Sequence, residues 1–233
     1  MPSFLSHRQP DLAEEMDKND CNPVLLENTY QQFPLINQLL SQWKWIYQRE
    51  LLPLMSEKKT YTLLDIGFGG GDVPIKLATW AKEDGVQLNI TAIDTDRRAF
   101  DFVQHKYPEG LINWKHVSST DLVLKKERFD FVTSNHLLHH LKDEEVITIL
   151  REALELAAQK VCFNDIERSY TGYFLFNIFS RMVFKNSFIT KDGLTSIKRS
   201  FTKNELMKLT PAGWKVKRIF PFRLLLSYDK NRS

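Results

Sequence analysis

The chain is poor in cysteine, glycine, proline and net charge, and it has no long apolar run. Its two cysteines, Cys21 and Cys162, exclude a disulfide-stapled scaffold and a four-cysteine zinc site, and they fit a reducing compartment. A formal charge of +3 over 233 residues is too small to imply nucleic-acid binding. No segment approaches the roughly 20 consecutive apolar residues that cross a bilayer. Residues 1–17 lack a basic stretch followed by an apolar one, so export is not expected and a cytoplasmic setting is. There is no internal repeat or low-complexity tract. What remains is an ordinary globular balance, 42% hydrophobic and 26% charged, long enough for one large domain with a real core. Sixteen phenylalanines hint at an apolar cavity or lid as well as that core.

Residues 1–20 are polar and charged without sustained periodicity, which predicts a loose leader. Over 24–56 apolar residues recur at helical spacing (Leu35, Ile36, Leu39, Leu40, Trp43, Ile46), and Pro34 suits a first helical turn. The reading is a leader and helical cap over 1–58, ahead of a larger unit over 59–233. From Tyr61 strands at 61–66, 88–93, 112–117, 129–133 and 160–164 interleave with helices at 73–82, 96–106 and 144–158. Asp72 stands where the N-cap of the first of these helices is expected. Such alternation predicts an α/β fold, a doubly wound and mostly parallel sheet with helices on both faces. Residues 170–184 are an aromatic helix candidate and 186–201 a polar, basic loop, so 168–201 reads as an inserted lid. Thr202 and Glu205 open a helix to Leu209 in the manner of a capping box. Strands at 214–220 and 222–228, parted by Pro221, are forced antiparallel.

The strongest local signal is Leu63-Leu64-Asp65-Ile66-Gly67-Phe68-Gly69-Gly70-Gly71-Asp72. Glycines after a strand and before a helix let the backbone take positive φ and approach a ligand closely. In a doubly wound sheet, ligands sit at the carboxyl ends of the strands. A dinucleotide loop would place glycine at the sixth position and a pyrophosphate on the helix N-terminus. Here that position is Asp72, and Asp65 adds negative charge, so a cationic ligand suits the loop better. S-adenosylmethionine, with a sulfonium and an ammonium against one carboxylate, is such a ligand. Asp94, ending the second strand, can accept hydrogen bonds from both hydroxyls of a ribose, a device that dehydrogenases share.

Residues Asp65 to Gly71 resemble the D/E-x-G-x-G-x-G signature of class I S-adenosylmethionine-dependent methyltransferases. The resemblance covers about residues 60–165 by motif order, plus the closing hairpin, and is similar to the small-molecule branch that serves quinone biosynthesis and polyketide tailoring. It implies a Rossmann-like, seven-stranded sheet whose last strand is antiparallel, with an acceptor lid between strands five and six. It implies that Asp65, Gly67, Phe68, Gly69 and Gly71 pack on the methionine part of S-adenosylmethionine, that Asp94 holds the ribose and that Thr95 lies beside the adenine. The family's Gly-Asp pair after strand three is replaced by Ser118-Ser119, so adenine contact falls to Ser119, Thr120 or Asp121, the alternative being a helix cap. Asn135 and His136, ending strand four, are expected to face the sulfonium. No N-P-P-[YF] tetrad follows that strand, which argues against DNA-adenine or protein-glutamine methylation and favours oxygen or carbon.

His136, His139 and His140 share a face if their segment is helical. A general base, a metal site and plain structural bonding compete as readings. His136 and His140 are the catalytic candidates, with Asp165 able to orient a histidine. No metal is expected, because Asp165 is the only further donor the neighbourhood offers. Lys191, Lys198 and Arg199 either solvate a loop or attract an anionic acceptor. The expected activity is methyl transfer to oxygen or carbon of a small aromatic or apolar acceptor, with no nucleic-acid partner. Peripheral membrane contact and oligomeric state are left open. An NAD-type oxidoreductase, a non-catalytic S-adenosylmethionine-binding module and an RNA methyltransferase, which would need a basic track where only the short 191–199 cluster is seen, are the alternatives.

Overall fold

The computed structural model describes residues 3–107 and 110–230. Its strands are β1 (Thr60–Ile66), β2 (Gln87–Asp94), β3 (Asn113–His116), β4 (Phe129–Asn135), β5 (Ala157–Ile166), β6 (Lys215–Ile219) and β7 (Arg223–Asp229). They form one sheet in the order β3-β2-β1-β4-β5-β7-β6. Neighbours from β3 to β5 run parallel, and β7 is antiparallel to both β5 and β6. Inner strands are covered on both faces: Leu63 and Leu64, Phe131 and Val132, and Val161 to Phe163 are all buried. That is why they read as apolar runs rather than as alternating patterns.

Helices α1 (Pro23–Leu40), α2 (Trp43–Ile46), α3 (Asp72–Glu83) and α4 (Arg97–Lys106) pack on one face, around Tyr30, Tyr47, Leu77, Val103 and Phe131. Helices α5 (Ser119–Leu124), α6 (Asp143–Leu156) and α9 (Lys203–Leu209) cover the other, around Leu122, Val132, Leu150, Val161 and Leu206. Helices α7 (Tyr170–Val183) and α8 (Ile189–Arg199) pack together between β5 and β6 in sequence. No helix among the described residues is long and apolar enough to cross a membrane.

Several local expectations are corrected. The segment 24–56 is not one helix: α1 stops at Leu40, Gln42 takes φ 58°, and α2 leads into a π turn over Tyr47–Leu51. Asn22 caps α1 through Val24 and Leu25, Pro23 takes the first turn, and Pro34 falls inside the helix. Pro34 has no N–H for the Tyr30 carbonyl, and that carbonyl faces the glycine loop, 3.1 Å from where a Gly70 Cβ would stand. Gly71, at φ 76°, is the N-cap of α3, and Asp72 is its first residue. Residues 189–199, expected as loop, are helix α8, whose inward face carries Asp192, Ser196 and Arg199 beside Ile189 and Ile197 and so hides its period. Helix α6 ends at Leu156, and Ala157 already belongs to β5.

The leader is packed, not loose. Leu5 and Glu14 are buried. Arg98 donates to the carbonyls of Met16 and Lys18, each at 3.0 Å, and Asp192 accepts from the amides of Glu15 and Met16 at 2.8 and 2.9 Å. This strap across the carboxyl edge of the sheet could not be read locally, because its partners are 80 and more residues away in sequence.

Candidate functional site

Strand order reverses between β1 and β4, and a cavity of about 590 Å³ opens at their carboxyl ends, where doubly wound sheets bind ligands. The turn after β1 enters it. Gly67, at φ 76°, donates to the Ile93 carbonyl at 2.8 Å, which ties the turn to β2. The Gly69 amide donates to Asp94 Oδ2 at 2.9 Å, and the Asp96 amide donates to Asp94 Oδ1 at 2.9 Å. Gly71 pairs positive φ with crowding: a Cβ there would stand 2.8 Å from Trp114 and Val103 and 2.9 Å from Tyr107.

Three carboxyl groups surround this turn, and burial raises the pKa of each. Asp65 is pushed up to about 7, burial outweighing the 2.8 Å hydrogen bond donated by Thr133 Oγ1, and Asp72 and Asp94 add repulsion. Burial also raises Asp94, against the backbone amides it accepts from, and Asp72, against the Asn37 Nδ2 hydrogen bonds of 3.0 and 3.2 Å. Lys76 lies 3.8 Å from Asp72. A cationic ligand would relieve this excess of negative charge.

Of the cofactor-side candidates, Asp65, Gly67, Phe68, Gly69, Asp94, Thr95, Asn135 and His136 line the cavity together. Gly71 lies behind the turn. Ser119 and Thr120 do not line the cavity; they open α5 and donate to the two carboxylate oxygens of Glu152, at 2.5 and 2.6 Å. Ser118 caps that helix in a box with Asp121. The helix-cap alternative therefore describes this segment.

The three histidines do not share a helical face. His136 leaves β4 at φ 60°, its amide donating to the Asn164 carbonyl at 3.0 Å, and residues 138–140 form a single 3₁₀ turn. His136 Nε2 is buried without a hydrogen-bond partner. Burial, joined by the Arg223 cation, holds His136 well below the ordinary histidine value. His139 is the buried centre of the group: its Nδ1–H donates to Asp165 Oδ1 at 2.6 Å, and its Nε2 lies 3.6 Å from Glu14 Oε1. His140 Nδ1–H donates to Asp17 Oδ2 at 3.2 Å. Burial opposes the His140 cation, yet the Glu14 and Asp17 carboxylates outweigh it and raise its pKa. Asp165 does not line the cavity; it stands behind His139. Burial would raise it, but the His139 charge and hydrogen bond hold it far below the usual carboxylate range.

Three residues of this site escaped the sequence reading, and a fourth, Arg199, was expected in a loop. Asn37 of α1 bridges the Asp72 carboxylate and the Asn135 side chain. Glu14, from the leader, reaches His139 and His140. Arg199 is no solvated loop residue: it is buried and donates to the carbonyls of His139 and His140 at 3.2 and 2.8 Å. Arg223 starts β7, is buried, lines the cavity, and donates to Asn164 Oδ1 and Asn135 Oδ1 at 3.3 and 3.1 Å. Burial lowers its pKa to about 10. Of the three that escaped, only Arg223 left a trace in sequence, a cation heading an otherwise apolar strand. Leu175, Phe176 and Phe179 of α7, Ile197 of α8, and Phe220 to Phe222 complete an apolar wall. Phe174 and Tyr170, in contrast, face outward.

Residues 63–160 match a family model described as a methyltransferase domain. Over 98 residues the chain is 31% identical to uncharacterized methyltransferases of Mycobacterium tuberculosis (strain H37Rv) and Mycobacterium bovis. That alignment covers 42% of this chain and 47% of each relative, so the chain matches about half the length of these curated proteins. Among solved structures it is similar to the plantazolicin methyltransferase BpumL in complex with SAH, with a TM-score of 0.62, 14% identity, and coverage of 91% of this chain and 90% of that one. Magnesium protoporphyrin IX methyltransferase from Synechocystis PCC 6803 gives 0.55, 14%, 91% and 90%, and a SAM-dependent methyltransferase from Aquifex aeolicus gives 0.54, 16%, 86% and 96%. At such identity the likeness is one of fold. Sheet order, the antiparallel β7 and the glycine turn define a class I methyltransferase fold. Residues 63–160 thus match a methyltransferase domain, and the chain has the fold of the class I S-adenosylmethionine-dependent methyltransferases.

Proposed function

We propose that this chain transfers a methyl group from S-adenosylmethionine to an oxygen or carbon of a small aromatic or apolar acceptor. The observation that carries the reading is a single cavity lined both by the glycine turn with Asp94 and by the apolar wall of α7, α8 and Phe220 to Phe222. S-adenosylmethionine supplies a methyl group already activated on a sulfonium. Gly67 and Gly69 hold its methionine part against the turn, Asp65 answers the ammonium, Asp94 accepts from the ribose hydroxyls and Thr95 lies beside the adenine. Asn135 and His136 face the sulfonium. His136, neutral and with Nε2 unpartnered, takes the proton of an acceptor hydroxyl, while Asp165 fixes the tautomer of His139 and His140 stands at the rim. The aromatic wall excludes water. Alignment of this kind lowers a barrier by roughly 7–11 kcal/mol in favourable cases, and a positioned base adds about 10²–10⁴-fold. Two structural neighbours are named for plantazolicin and magnesium protoporphyrin IX, which fits a family fold that accepts ring-bearing molecules.

The test is calorimetric titration with S-adenosylmethionine, then a panel of phenols, quinols and enols screened with a labelled methyl group. Saturable binding and a labelled product are expected. Binding of nicotinamide dinucleotide in place of S-adenosylmethionine would make the chain an oxidoreductase. Cofactor binding with no transfer to any panel member would leave a binding module.

A further inference from the structure

We propose that Glu14, His139 and His140 form a site for one divalent transition-metal ion of the zinc type, set in the wall of the cavity. One ligand atom from each lies within 4.8 Å of the others, and all three residues line the cavity. His139 Nε2 is 3.6 Å from Glu14 Oε1, and His140 Nε2 is 4.0 Å from Glu14 Oε2. Tetrahedral zinc with bonds of about 2.0–2.1 Å sets its ligand atoms about 3.4 Å apart. The two Glu–His separations, each to a different oxygen of the carboxylate, exceed this by about 0.2 and 0.6 Å, so small side-chain shifts would close the site.

Three further features separate this cluster from a chance meeting of polar groups. First, both imidazoles are oriented as metal ligands are: each Nδ1–H is held by a carboxylate, Asp165 for His139 and Asp17 for His140, which turns both Nε2 atoms toward Glu14. Second, the turn that bears them is fixed from behind, since Arg199 holds the His139 and His140 carbonyls. Third, Glu14 is 2% exposed, and its ion-pair neighbours within 4.0 Å among the described residues are these two histidines alone. Ser196 Oγ donates to its Oε1 at 2.8 Å. A carboxylate so buried requires a cation at hand. Around the cluster, the Asp17 and Asp165 carboxylates are offset by Arg199, 3.6 Å from Asp17, and by Arg223.

Two histidines and a glutamate are a nitrogen and oxygen donor set suited to zinc and its neighbours in the first transition row. Three protein ligands leave a fourth position, and all three of these residues line the cavity. A water or an oxygen of the acceptor would take it, and the ion would lower the pKa of a hydroxyl bound there. The sequence hid this because the third ligand lies 125 residues before His139. The inference does not depend on the methyl-transfer reading.

The experiment is titration of the full chain, stripped with a chelator, with Co²⁺ and then Zn²⁺, read by calorimetry and by the visible absorption of cobalt. One equivalent of Co²⁺ with intense tetrahedral bands, displaced by Zn²⁺, is expected. Glu14→Gln and His140→Ala should each weaken binding at least tenfold. Asp165→Asn should weaken it about 10–100-fold while leaving one site, as loss of an outer carboxylate does. Thermal melts identify variants that fail to fold; His140, at the rim, is the substitution least able to disturb the core. Substoichiometric binding to the wild-type chain, or wild-type affinity in either folded variant, overturns the proposal and leaves a proton as the ion shared by this triad.

Discussion

His139 Nδ1–H donates to Asp165 Oδ1 over 2.6 Å, and both side chains are buried, 26 residues apart in sequence, one in the turn after β4 and the other near the end of β5. The Asp165 carboxylate also accepts from the His139 amide at 3.1 Å. One carboxylate thus fixes both the position of the turn and the tautomer of its imidazole. Asp165→Asn keeps the shape but presents a carboxamide that does not select the tautomer. We expect the methyl-transfer rate to fall at least tenfold, with the S-adenosylmethionine Kd changed less than twofold and with partial rescue by Asp165→Glu. A Kd that rises as the rate falls would make Asp165 a residue of the general scaffold.

Asp94 already accepts the Gly69 and Asp96 amides and has lone pairs left for a ribose. Asp94→Ala should raise the S-adenosylmethionine Kd by 10–100-fold, the loss of one or two hydrogen bonds to a charged acceptor. Calorimetry measures it, and an unchanged Kd would remove Asp94 from the ribose.

Asp65 gives a pH dependence of definite sign. Its folded pKa of about 7 lies above that of the unfolded chain, so the stability it contributes is whole below about pH 4 and is lost as pH rises through 7. The free chain should therefore lose melting temperature between pH 5 and 8, the cost at the upper end being no more than about 4 kcal/mol. Binding of a cation needs the carboxylate, so the S-adenosylmethionine Kd should tighten about tenfold from pH 5.5 to 7. Asp65→Asn should flatten both trends. If the wild-type Kd is flat over that interval, Asp65 does not answer the ammonium.

The leader strap makes its own prediction. Asp192→Asn replaces a carboxylate that accepts two backbone amides, and Arg98→Ala removes donors to two carbonyls. Hydrogen bonds of this charged kind contribute about 1.5–3 kcal/mol each. Exchange of the Glu15 and Met16 amides, and proteolysis within residues 1–20, should quicken at least tenfold in either variant. The melt of the sheet should hold. Cleavage at the wild-type rate would mean that other contacts fasten the leader.

What could be read without a structure was what short stretches of chain encode. Tyr61 to Ile66 is apolar because its strand is covered on both faces, and the glycines that follow are needed where the backbone turns at positive φ and crowds Trp114 and Val103. Asp94 at a strand end and the Pro221 break before an antiparallel partner are equally local. Helix α8 was not legible, since a period built partly from Asp192, Ser196 and Arg199 looks polar until their partners are known. The same reason governs the acceptor side. The spacing of His136, His139 and His140 was visible, but which nitrogen His139 and His140 present is set by Asp165, Asp17 and Glu14, and the cation that faces His136 is Arg223. Sequence alone determined the sheet and the glycine turn that enters the cavity, because hydrophobic period and backbone φ act over a few residues. Tertiary structure alone decided the charge and direction of the histidines, because those depend on desolvation and on partners that folding brings from 26 to 125 positions away.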